Sequence, residues 1–181
     1  MIIYISTDKL DNDRVVEWSS SPMHEDDVEL EISPDHEFFK NVPMKYLYKD
    51  GELVTDDGYL LKQSKITKRD ELNRKCNETI SGRFSHTVND STYYFSNDTE
   101  AQSNFEKADR AFEKGRMTEI GWTSYDVNGN VHRLVLTQET FEPLYLSHLY
   151  HIQQNIYRFR DVLMPQVESA QTVEELDTII W

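Results

Sequence analysis

The chain has 181 residues and a mass of 21.4 kDa, which allows one ordinary domain or two small ones and leaves no room for three. Its 33 acidic against 19 basic residues give a net charge of −14, and a field of that sign repels phosphate backbones and anionic lipid, so nucleic acid is not an expected partner. Aromatic residues make up 12% of the chain, too many for a disordered tail, and they supply a core that needs no metal or disulfide to hold it.

Charge is spread without a hidden basic patch, since residues 1–65 carry 15 acids and 7 bases and residues 66–181 carry 18 and 12. The single Cys76 has no partner for an internal disulfide. Neither a charged-then-apolar leader nor an apolar run of about 20 residues occurs, so the sequence predicts synthesis in a cytoplasm and no membrane insertion. Asn77, Asn89 and Asn97 each open an Asn-x-Ser/Thr sequon, read as chance in the absence of a secretory signal.

Chain order then gives the fold. Ile2 to Ile5, Arg14 to Trp18 and the alternating Val28, Leu30 and Ile32 read as short strands, the first two separated by the turn residues Asp11, Asn12 and Asp13. Tyr46 to Tyr48 and Leu53 to Val54 flank Asp50-Gly51, whose residues accept the positive φ angles of a two-residue hairpin. A turn at Asp56 to Gly58 follows, alternation is lost from Leu60 to Lys68, and a domain boundary is predicted near residue 65. A helix is predicted after Thr67, with Leu72, Cys76 and Ile80 on one stripe and Gly82 as a left-handed cap. Arg83 to Val88 and Thr92 to Phe95 form a second hairpin across Asn89, Asp90 and Ser91. Thr99 with Gln102 reads as a capping box opening a helix that buries Ala101, Phe105, Ala108 and Phe112 and stops at Gly115. Glu119 to Tyr125 and Val131 to Leu136 pair across Asn128-Gly129. A long helix is expected from Gln138 to Met164, with Pro143 in its first turn and Pro165 closing it, and Thr172 with Glu175 caps a last short helix. The fold class is therefore α+β: a small N-terminal antiparallel β module over residues 1–65, then residues 66–181 as hairpins and helices with one long C-terminal helix.

No reactive constellation emerges. Of the six histidines only His148 and His151 lie within one helical turn, without the further ligands that zinc wants. Asp126, Asn128 and Asn130 imitate the start of a calcium loop, but Thr137 stands where the twelfth-position glutamate belongs, and a hairpin turn explains them better. The acid pairs Asp26-Asp27, Asp56-Asp57 and Glu174-Glu175 suit turns and first helical turns rather than a glycosidase cleft. No nucleophile elbow, phosphate loop or dinucleotide fingerprint is present, so neither catalytic residues nor a cofactor or metal site is expected. The aromatic arm Tyr93-Tyr94-Phe95 offers rings to a sugar or a protein, with half of them turned inward by strand alternation. The candidate interface residues are Tyr145, Leu149, Ile152, Ile156, Phe159 and Leu163, spaced 4, 3, 4, 3 and 4 apart at a 3.5-residue period. Core packing alone, or core packing plus a meeting with another subunit, accounts for that seam.

The segment from Arg69 to Trp181 resembles a domain family of unknown function found near the C-termini of bacteriophage tail and tail-fibre proteins. The resemblance is carried by Arg69 to Asn73, by Tyr93 to Asp98, by Trp122 with the Asp126 to Val131 turn and Leu136-Thr137, and by Ala170 to Leu176. Met44 to Val54 looks like the hairpin modules that open several small phage tail proteins. The resemblance implies a non-enzymatic structural component of the virion tail, made in the host cytoplasm, in the baseplate or as a tail-fibre adaptor or connector. Its implied partners are other tail subunits and further copies of itself, with a host surface receptor left open. The rival readings are a fibre-assembly chaperone absent from the mature particle and a receptor- or carbohydrate-binding tip.

Overall fold

A computed structural model describes all 181 residues, Met1–Trp181, as a mixed α and β protein with two antiparallel sheets. The chain divides into two compact units, one of Met1–Ile66 with Gln171–Glu174 and one of Thr67–Ala170 with Glu175–Trp181.

In the first unit β1 (Ile2–Asp8), β2 (Arg14–Ser19), β3 (Val28–Glu31), β4 (Tyr46–Lys49) and β5 (Glu52–Thr55) form one sheet in the order β3-β1-β2-β4-β5. Alternation buries Ile3 and Ile5 of β1 against Val15, Ile32, Phe38 and Tyr46. Asp50 and Gly51 take φ of 51° and 90°, the two positive angles that a tight β4–β5 hairpin requires. Arg14 is buried and fully engaged: its guanidinium donates to Asp11 at 2.6 Å, to Asp56 at 2.8 Å and to the Met44 carbonyl at 2.8 Å, and stacks over Tyr59. Removing either carboxylate would leave a buried charge short of a partner.

The predicted helix start after Thr67 is corrected, because α1 runs Gly58–Ile80. The Asp56 carboxylate accepts from the Gly58 amide and its carbonyl from that of Tyr59, which turns the chain into a helix at once. The lost alternation over Leu60 to Lys68 thus marks a helix rather than a linker, with Leu60, Lys62, Gln63 and Ile66 exposed and Ser64, Lys65 and Lys68 half-buried. Gly82 is corrected too, since it does not take a positive φ. A Cβ there would lie 3.1 Å from the Thr79 carbonyl oxygen, and that close approach is what glycine permits.

The second unit holds β6 (Arg83–Val88), β7 (Ser91–Ser96), β8 (Glu119–Tyr125) and β9 (Val131–Thr137), in the order β6-β7-β8-β9. Its helices are α2 (Thr99–Glu113), α3 (Gln138–Tyr157), α4 (Met164–Ser169) and α5 (Val173–Asp177). One face of the sheet packs Phe84, Phe95 and Leu136 against Phe105 and Phe112 of α2 and Phe141 and Leu144 of α3. Phe105 is the hub, with ring centroids 4.5 Å from both Trp122 and His148. Leu72, Cys76, Leu163, Val167 and Leu176 are also buried, and Arg69 of α1 bonds Glu168 at 2.7 Å.

Three further expectations about helix ends are corrected. The cap of α2 is Asp98, whose carboxylate accepts from the Ala101 amide at 2.9 Å, and Thr99 is already helical, while Gln102 reaches back to the Asn97 carbonyl. Pro143 is the sixth residue of α3, past the first turn, and its exposed position lets water serve the carbonyl that loses a donor. Pro165 does not close the helix. A π turn over Arg158–Leu163 joins α3 to α4, and Pro165 falls at the first residues of α4, so the chain stays helical past it to Ser169. No helix is long and apolar enough to cross a membrane.

Candidate interaction surfaces

The six seam residues lie along one side of the helix but are unequally covered. Leu163 is buried, Tyr145, Ile152 and Phe159 are half-buried, and Leu149 and Ile156 are exposed. A 3.5-residue spacing drifts around an α-helix of 3.6 residues per turn, and the π turn shifts the register again before Leu163. The core-facing stripe of α3 instead begins Phe141, Leu144, His148, with a histidine where the apolar pattern called for a hydrocarbon.

His148 is 2% exposed and stacked on Phe105 at an interplanar angle of 11°. Asn97, fully buried, donates through Nδ2 to the Ile80 carbonyl at 2.6 Å, so its Oδ1 is left to accept from His148 Nδ1 at 2.6 Å, which fixes the tautomer. Burial first, and the nearby His151 second, push the His148 pKa down. His151 donates to the Thr79 carbonyl at 3.0 Å, and His86 shares a hydrogen bond with Ser147 while burial lowers its pKa. These imidazoles are occupied by the fold, and no group of three or more His, Cys, Asp or Glu side chains is placed to hold a metal ion. Nothing local in the sequence signals the pair, because Asn97 and His148 stand 51 residues apart.

The other singled-out residues are spent on local structure. Asp126 accepts from the amides of Asn128 and Asn130 and from Asn130 Nδ2, at 2.8–2.9 and 2.7 Å, and these donors hold its pKa down at about 2. Asp27 accepts from Ser6 and from the Met23 and His24 amides. Within the aromatic arm Phe95 is buried, Tyr93 packs on the same core beside His132, and Tyr94 lies on the other face of the sheet.

Two solvent-open features of the second unit combine apolar area with a defined shape. The first is the outer side of α3, where Leu146 is 59%, Tyr150 59% and Tyr157 60% exposed beside Leu149 and Ile156. At 100° per residue these five fall within roughly a third of the helix circumference, an apolar stripe broken by Gln153 on an otherwise acidic protein. The second is a cleft of about 390 Å³ between α2 and β8. Met117, Ile120, Trp122 and Ala108 give it an apolar floor, and Asn104, Lys107 and Arg133 a polar rim. β7 and β8 are paired only at Tyr94 and Tyr125, so the sheet parts from there toward Glu119 and leaves this space. The π turn and the parted ladder have no sequence signature, since residue patterns place helices and strands without saying how the helix winds or how far two strands stay bonded.

A family model described as a domain of unknown function (DUF4376) matches residues 63–180. No curated protein and no solved structure matches the chain.

Proposed function

The chain belongs to the DUF4376 family of domains of unknown function, and we propose that it works by docking, as a non-enzymatic structural subunit of a bacteriophage tail in the baseplate or at a fibre attachment. The observation that carries the docking reading is the exposed stripe of α3: five large apolar residues on one side of one helix, held on a rigid aromatic core. Water disfavours that surface by about 25 cal/mol for each Å² of apolar area, and an adjoining subunit relieves it. The acidic remainder keeps free copies apart until they meet their site. The placement in a tail is supported by the resemblance of Arg69 to Trp181 to tail and tail-fibre domains.

The test is incorporation. Leu146→Asp with Tyr150→Asp alters only exposed positions, so the variant keeps the parent's circular dichroism and is expected to be absent from assembled tails that take up the parent chain. Normal uptake of the folded variant would refute the stripe as the docking surface.

A further inference from the structure

The parted seam between β7 and β8 is an unfilled strand position. The Asp126 amide donates to the Asn130 carbonyl across the β8–β9 turn, so by alternation the main-chain groups of Ser124, Trp122 and Ile120 face β9, and those of Thr123, Gly121 and Glu119 face away from it. On that far side β7 pairs with β8 only at Tyr125, so the main-chain groups of Gly121 and Thr123 have no ladder partner there. Both residues line the cleft. Such a row of free N–H and C=O groups is a template for an added strand.

The chemistry beside the row selects its occupant. Gly121 carries no side chain, and the Arg133 guanidinium lies across the space a Cβ would fill, with Nε 3.0 Å from it, while Nη1 bonds the Thr123 hydroxyl at 2.8 Å. Arg133 is thereby laid over β8 beside the cleft, and Lys107 of α2 lines it as well. The lining includes no carboxylate, on a chain of net charge −14. Ile120, Trp122 and Met117 supply an apolar floor for alternate side chains.

We propose that this cleft binds a short extended peptide of a partner protein, acidic in composition, which adds as a strand along Gly121 and Thr123 of β8 and places a carboxylate against Arg133 and Lys107. The site is distinct from the α3 stripe and stands whether or not that stripe docks.

The test is an NMR titration of the ¹⁵N-labelled full chain with two six-residue peptides, one alternating valine with glutamate and one alternating valine with lysine. The acidic peptide is expected to move the Gly121 and Thr123 amide signals and to slow their hydrogen exchange at least ten-fold, and the basic peptide to do neither. Arg133→Gln with Lys107→Gln, both exposed or rim positions, should weaken the acidic peptide ten-fold or more while leaving the spectrum of the core unchanged. Unmoved Gly121 and Thr123 signals at millimolar peptide, equal response to both peptides, or undiminished binding by the double variant would each overturn the proposal. The Leu146→Asp and Tyr150→Asp variant should bind the acidic peptide as the parent does, and a loss there would refute the independence of the two surfaces.

Discussion

Asn97→Ala probes the polar pair at the centre of the second unit. The substitution removes the acceptor of His148 Nδ1–H and the donor to the Ile80 carbonyl, two bonds of 2.6 Å in a site from which water is excluded. Each orphaned buried group costs about 1–3 kcal/mol, so the expected loss is about 2–6 kcal/mol. With a urea dependence of about 2 kcal/mol per molar for a protein of this size, the unfolding midpoint should fall by about 1–3 M when followed by circular dichroism. His148→Phe keeps an aromatic ring on Phe105 and orphans only the Asn97 oxygen, one group rather than two, so it should cost about half as much. A midpoint change under about 0.3 M for Asn97→Ala would refute the claim that this pair is part of what holds the unit together.

His148 and His86 have folded pKa values lowered below the usual 6.5, so the unfolded chain binds more protons, and the stability they confer is complete above 6.5 and declines as pH falls through it. Urea midpoints measured from pH 7.5 to 5 should show that decline for the parent and a shallower one for His148→Phe, whereas a flat parent profile would contradict it. Asp126, held down at about 2, has the depressed-carboxylate sign: its contribution is present above pH 3.8 and lost as pH falls toward 2. Asp126→Ala should therefore loosen the β8–β9 turn, read as faster amide exchange at Asn128 and Asn130, the two amides its carboxylate accepts from. Phe105→Ala deletes the hub ring and should cost about 3–5 kcal/mol, measured by the same unfolding assay.

The elements legible in the residues are those whose cause is local. Asp50-Gly51 and Asn89-Asp90 each place two residues with positive φ between runs of strand formers, Asn128-Gly129 places one at Gly129, and all three hairpins form there. Helix limits were less legible because a cap shifts by one residue when two good cap residues adjoin, as Asp98 and Thr99 do, and because the polar residues over Leu60 to Lys68 suit a helix as well as a linker. The core-facing side of α3 was less legible for a definite reason: His148 reads as polar, and only Asn97, just before α2, makes its burial favourable. The π turn past Tyr157 and the parting of β7 from β8 depend on packing among distant segments and leave no mark in any local pattern.

The docking account is tested most directly by quantitative mass spectrometry of gradient-purified particles from cells that carry this chain, comparing the parent with the Leu146→Asp and Tyr150→Asp variant. The account predicts the parent chain at a fixed ratio to other tail proteins and the variant at background. Infectious, morphologically complete particles that lack the parent chain would contradict it.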